Sequence, residues 1–443
     1  MATHLTEEAS TLTATTPFIR PADMPTVSFE TFTLANGLRV VLSVDRSAPV
    51  VATFVHYHVG SKNERDDRTG FAHFFEHLMF EGTKNIPRHE IDKLIQSAGG
   101  RLNAFTSFDE TAYHLQLPKN ELKLALWIEA ERMRHAVINE IGVETQRSVV
   151  KEERKTRYEN EPYGSLMEYL VSTAARGTPY AWPPIGAVQY IDQATIEEFR
   201  DFYKQFYVPN NAVLAVVGDL DVAETKELIE YYYGDIPRGA DIVRPDFTLP
   251  INGGERRVDI AEPNTPLPGV MHIYNAPERG TPDSYALDYL TLILSRGESS
   301  RLYSRLVDDR QIALHAHSFS IALESGGFFA MMAMGRTPAN TLDELEAEMT
   351  AIIEEIRANG VTEREFQKAR NQVETEYAGS FTSVMKKAQA LATAMTYEND
   401  PDFVNAEYEA SMSVTQEQIR DVARRYLVTE NRSVLLYSVP TPE

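Results

Sequence analysis

Apolar runs alternate with helical periodicities along this chain, and the alternation occurs twice. Val50 to Val59 is a strand-like run, and residues 71–82 follow with a helical period entered from Thr69-Gly70 and closed at Gly82. Thr111 to Leu117 reads as a strand and Glu121 to Ala136 as a long helix. Gly142-Val143 punctuates the pattern before a helix from Glu144 to Glu159. In the second half, Pro268 to Tyr274 is a strand, Tyr285 to Leu294 a helix and Phe328 to Met334 a strand. A helix from Leu342 to Ala358, Gly360-Val361 and a helix from Thr362 complete it. The order of elements recurs although few residues are identical, which is the mark of an internal duplication. The pattern predicts an α+β architecture of two homologous α/β domains, each a mainly antiparallel sheet with helices packed on one face. Pro237, Gly239, Pro245, Pro250, Gly253 and Gly254 give residues 236–256 a linker composition. The expected division is an N-terminal extension over 1–27, a first domain over 28–235, the linker, and a second domain over 257–443.

Composition narrows the chemistry. The 443 residues include no cysteine, so disulfides and thiolate metal sites are excluded and any tightly held metal must use His, Asp or Glu. A formal net charge of −22 disfavours nucleic acid and anionic membrane as partners. It suits basic peptides, although a solvated acidic surface explains it as simply. No apolar run reaches the length of a membrane span. The first 25 residues are polar and carry no signal-like apolar stretch, which points to the cytoplasm, or to the periplasm if the N-terminus has been trimmed.

The candidate chemistry lies on the helix over 71–82. His73 and His77 are spaced i and i+4, so both imidazoles leave one face and can share a metal ion. Glu76 sits on nearly the same face, placed to take a proton from a metal-activated water. A third ligand is needed, and the acidic helix after Gly142 offers Glu152 and Glu153. Adjacent helical residues point about 100° apart, so only one of them can face the metal. His56 with His58, and His315 with His317, are read as core or surface residues because neither pair has a placed third ligand. Tyr231-Tyr232-Tyr233 is read as packing.

Four segments, Gly70 to Thr83, Gly99 to Ser107, Arg147 to Glu153 and Phe206 to Asp219, resemble the pitrilysin/insulinase family of inverted zinc metallopeptidases. The resemblance runs from about Phe29 to Val439 and is closest to the bacterial and mitochondrial processing-peptidase branch. It implies a zinc metalloendopeptidase holding one Zn2+ per chain, with His73 and His77 as ligands and Glu76 as general base. It assigns the distal ligand to Glu153 and makes the segment Asn103, Ala104, Phe105 and Thr106 an edge strand that holds peptide substrate as an added β-strand. The first domain then carries the metal, and the second lacks a metal motif.

Two features depart from the family pattern. Gln146 stands where the family often has a glutamate beside the metal site, with Glu144 as a possible substitute. The stretch Val307 to His315 lacks the Arg and Tyr with which active members grip the substrate carbonyl, and Arg301 and Tyr303 lie nearby at the wrong spacing. The resemblance therefore implies a heterodimer with a homologous subunit that lacks the metal motif and supplies that pair. A homodimer is the simpler alternative. The competing functions are a non-catalytic structural subunit and a metal-independent peptide-binding module.

Overall fold

The computed structural model describes residues 24–440. Eleven strands form two sheets among them. The first has six strands, β1 (Glu30–Thr33), β2 (Arg39–Val44), β3 (Val50–Tyr57), β4 (Arg101–Thr106), β5 (Thr111–Pro118) and β6 (Ala212–Gly218), in the order β1-β2-β6-β3-β5-β4. The second has β7 (Arg256–Ile260), β8 (Gly269–Ala276), β9 (Ala313–Leu323), β10 (Gly326–Gly335) and β11 (Arg432–Tyr437), in the order β7-β11-β8-β10-β9. Only β2/β6 and β7/β11 are parallel; the other neighbours are antiparallel. From β2 and β7 onward the two sheets share one order and one pattern of strand directions, as duplication requires.

The central strands are apolar without alternation, and this has a structural cause: both of their faces are covered. One face of the first sheet packs against its own helices, where Val55 and Val216 meet Phe74, Phe75 and Phe199. The other face buries Ala52, Phe54, Val213 and Ala215 under Leu391, Ala388 and Val384 of the Val384–Tyr397 helix, which comes from the second half. The second sheet receives the converse. Its own helices bury Val270, Phe329 and Met331, and Leu170, Val171 and Ala174 of the Leu166–Ala174 helix in the first half cover Met271, Ile273 and Phe328. Each half thus carries helices on one face of its sheet, as expected, and lends one further helix to the other half. Val27 joins the exchange through two hydrogen bonds with Asn405, at 2.9 and 3.0 Å. No helix or strand lies between Tyr233 and Arg256.

Element boundaries differ from the sequence reading in two instructive places. The 71–82 helix ends at Leu78, and Gly82, at φ +105°, turns the chain after it. Gly142-Val143 does not punctuate: it lies inside the Glu140–Arg154 helix, whose cap is Asn139 accepting from the Gly142 amide. Gly360, by contrast, ends the Leu342–Asn359 helix. The two Gly-Val pairs occupy different structural positions, and the caps Asn139 and Thr362 are the better equivalents. No described helix is long and apolar enough to cross a membrane.

Candidate metal centre

The helix that carries the motif, Phe71–Leu78, is fixed by its apolar face. Phe71, Phe74, Phe75 and Leu78 are buried, and Phe74 and Phe75 stack on Phe199 and Phe202 with centroids 4.5 and 5.2 Å apart. Helical geometry leaves His73, Glu76 and His77 as the remaining stripe. The helix start is tightly specified. Gly70 sits at φ +96°, and the backbones of Gly70 and Gly186 approach so closely that a Cβ on Gly186 would lie 2.3 Å from Gly70 Cα. Glu64 caps the helix, accepting from the Gly70 and Ala72 amides at 2.9 and 2.8 Å. Burial raises its pKa to about 8 in spite of these bonds.

The imidazoles of His73 and His77 lie 4.8 Å apart, centroid to centroid. Glu153 arrives from the Glu140–Arg154 helix, with Oε2 3.7 Å from His73 Nε2 and 3.3 Å from His77 Nε2. The ligand atoms of these three residues all fall within 4.8 Å of one another, and no other group of three His, Asp or Glu among the described residues does so. Glu152, its neighbour, is exposed. The second oxygen of Glu153 is held by Arg157 at 2.8 Å, from the π-helical turn Lys155–Asn160.

Further contacts aim the candidate ligands. Gln146 Nε2 donates to the acceptor-only Glu81 carboxylate at 2.5 Å, which turns Gln146 Oε1 toward His77 Nδ1 at 3.2 Å. His77 Nδ1 is thereby the donor, and Nε2 is the atom offered to a ligand. Arg88 secures Glu81 in turn. An amide and a carboxylate together fill the place for which a single glutamate was expected. Glu144 lies outside this cluster, exposed and paired with Arg147 at 3.2 Å.

The electrostatics suit ligation. Burial, assisted by His77, lowers the His73 pKa to about 4, so His73 is neutral near pH 7. The hydrogen bond with His77 lowers the pKa of Glu153 against its burial. Burial raises Glu76, against the Thr106 hydroxyl, which donates to Glu76 Oε2 at 2.7 Å. Thr106 ends β4, the outer strand of the first sheet, whose far edge pairs with no described strand. Asn103, Ala104 and Phe105 precede it on that open edge.

The remaining sequence candidates lie elsewhere. His56 is buried against Glu110 at 3.0 Å, and His58 against Glu324 at 2.8 Å. His315 and His317 are exposed on β9. Arg301 is bound to Glu365 at 2.6 Å and Arg310 to Glu348 at 2.7 Å, so both are engaged within the second half. Of the three tyrosines Tyr231 to Tyr233, only Tyr233 is buried. Sequence reasoning passed over Glu64, Arg157 and the contact of Thr106 with Glu76. Only Arg157 had a local signal, its i+4 spacing from Glu153.

Residues 39–187 match the domain described as Insulinase (Peptidase family M16), and residues 193–373 match the Peptidase M16 inactive domain. A zinc protease, PqqE, of Helicobacter pylori is 32% identical over 357 residues, which cover 80% of each chain. A probable mitochondrial-processing peptidase subunit beta of Arabidopsis thaliana is 25% identical, over 77% of this chain and 66% of its own. The crystal structure of a protease from Helicobacter pylori superposes with a TM-score of 0.89 at 29% identity, covering 93% of this chain and all of the other. With the two-sheet duplication, the inverted histidine motif and these matches together, the chain belongs to the pitrilysin/insulinase peptidases, family M16.

Proposed function

We propose that the chain is a zinc metalloendopeptidase subunit. One observation carries this reading: His73, His77 and Glu153 converge on one point, with Glu76 beside them and bonded to the end of an open strand edge. Two imidazoles and one carboxylate form a donor set that suits zinc, and they leave a position free for chemistry. His73 Nε2, His77 Nε2 and a Glu153 oxygen would hold the ion. When bound, zinc supplies Lewis acidity, making an attacking water more acidic and a scissile carbonyl more electrophilic.

The other steps belong to the chain. Glu76, with its pKa raised by burial, takes the proton from the attacking water and delivers it to the leaving amine. Thr106 holds one Glu76 oxygen and leaves the other for this transfer. A peptide added along Asn103 to Thr106 lies as a new strand beside β4, so its backbone runs past Glu76. Main-chain hydrogen bonds supply the affinity there, which suits a broad choice of sequence. Gln146 and Glu81 orient His77, and Arg157 orients Glu153.

Arg301 and Arg310, the arginines nearest the expected carbonyl-binding stretch, pair with Glu365 and Glu348. That arrangement agrees with a homologous partner subunit supplying an Arg and Tyr pair. The decisive test is hydrolysis of an unstructured peptide by zinc-loaded chain and by Glu76→Gln. Equal activity in the two, or a chain that takes up no zinc, favours a structural subunit instead.

A further inference from the structure

The second half carries a cavity of about 560 Å³ in the position that the metal centre occupies in the first. Its walls are the Pro282–Ser295 helix, the Glu363–Ser380 helix, the Phe403–Met412 helix and β9. The correspondence extends to side chains. Tyr285, Asp288 and Tyr289 have the i, i+3, i+4 spacing of His73, Glu76 and His77. Ser320 of edge strand β9 lies against Asp288 and lowers its pKa, in the place where Thr106 of edge strand β4 bonds Glu76. Glu376 stands fourteen residues after the cap Thr362, and Glu153 stands fourteen after Asn139.

The chemistry of this cavity is nevertheless different. Asp288, Glu376 and Glu407 line it together with the rings of Tyr285, Tyr289, Phe319 and Tyr377. No three of the carboxylates gather their oxygens within 4.8 Å, as three ligands of one metal ion would. Tyr285 is 6% exposed, and its hydroxyl is buried with no hydrogen-bond partner. Asp288 is solvent-accessible in the cavity wall; enclosure by the surrounding protein, with Glu407 and Glu376, raises its pKa to about 7 against Ser320. Burial likewise raises Glu407. Arg296 meets Glu376 at 3.2 Å on its exposed side, and the Arg279 guanidinium lies over the Tyr397 ring at 4.3 Å, from where its charge opposes the rise of Glu407 and Tyr285. Neither arginine is part of the cavity lining.

We propose that this cavity binds an organic cation of the alkylguanidinium or alkylammonium class, held between aromatic faces by Asp288, Glu407 and the Tyr285 hydroxyl. An extended cation with several N–H donors satisfies dispersed acceptors that a point ion cannot bridge, and the rings favour its delocalised charge. Such a group is presented by a basic peptide side chain or by a free amine. Binding in this cavity does not require catalysis at Glu76.

The test is isothermal titration calorimetry on full-length Glu76→Gln, which separates binding from hydrolysis. The probes are agmatine, N-acetyl-argininamide and the neutral control N-acetyl-norleucinamide. Both guanidinium probes bind at one per chain and the control does not. Tighter binding of the argininamide assigns the site to peptide side chains, and tighter agmatine assigns it to free amines. Asp288→Asn with Glu407→Gln weakens the better probe at least tenfold. Tyr285→Phe, which keeps the ring and removes only the unpaired hydroxyl, weakens it severalfold and stands alone if the double variant fails to fold. Absence of guanidinium binding, or binding that both sets of substitutions leave unchanged, overturns the proposal.

Discussion

The helix bearing His73, Glu76 and His77 and the helix bearing Tyr285, Asp288 and Tyr289 hold corresponding places in two copies of one fold. Each packs its apolar face on its own sheet, each presents the middle acid of an i, i+3, i+4 set to an edge strand, Glu76 to Thr106 and Asp288 to Ser320, and each has a carboxylate from a following helix nearby. In the first copy His73 and His77 converge with Glu153, their candidate ligand atoms within 4.8 Å of one another. The second replaces both imidazoles with phenols and opens a cavity. The scaffold sets where side chains converge, and the first copy offers two imidazoles there where the second offers two phenols. The bonds that aim the ligands follow the same division: Gln146 and Arg157 hold His77 and Glu153, whereas Glu376 in the second half is exposed and drawn to Arg296.

The largest expected effect sharpens this contrast. Glu76→Gln lowers kcat for peptide hydrolysis by on the order of 10²–10⁴-fold, with zinc content unchanged, as measured by peptide turnover and atomic absorption. His77→Ala removes one of the three ligands, and zinc after dialysis falls well below one per chain. Retention of full zinc would break the assignment of the site. The exchanged helices test whether the two halves are one cooperative unit. Leu170→Ala and Leu391→Ala each remove a fully buried side chain from a helix lent to the other half. Each is expected to cost about 2–5 kcal/mol in denaturant unfolding, in a single transition. Two transitions after Leu391→Ala would show that the halves unfold separately. Gln146→Ala, which frees His77 Nδ1, weakens zinc affinity about 10–100-fold while Gln146→Glu retains it.

The smallest effect concerns the contact between halves. Glu324 of the second half is bound by His58 at 2.8 Å and by Lys62 of the first, and Lys62 also holds Asp109 at 2.8 Å. Burial alone would raise the Glu324 pKa, but the His58 hydrogen bond and the Lys62 charge outweigh it and hold the group down to about 2. A carboxylate depressed on folding adds stability above its unfolded pKa of about 4.5 and loses it as pH falls toward 2. Glu324→Gln therefore removes on the order of 1 kcal/mol at pH 7 and flattens the decline of stability between about pH 4.5 and 2.

Much of this was legible in the sequence because it is local. The i, i+4 histidines, the apolar strands and the repeated order of elements are read from periods of 3.6 and 2. The choice between Glu152 and Glu153 was not local, since it depends on how the Glu140–Arg154 helix rotates over the motif helix; only Glu153 faces the imidazoles. The Gly-Val pairs misled because identical dipeptides serve as a helix interior at Gly142 and a helix end at Gly360. Helix exchange left no local trace: Leu170 and Leu391 look like ordinary core residues whichever sheet they cover. The counterpart cavity was silent for a chemical reason, as Tyr285, Asp288 and Tyr289 match no ligand pattern and become a site only when β9 and Glu407 close around them.

Diffraction from zinc-loaded crystals at the zinc absorption edge tests the contrast between the halves most directly. A single anomalous peak per chain is predicted, bounded by His73, His77 and Glu153, with none in the cavity of Asp288 and Glu407. A peak in that cavity, or none at the histidines, would contradict it.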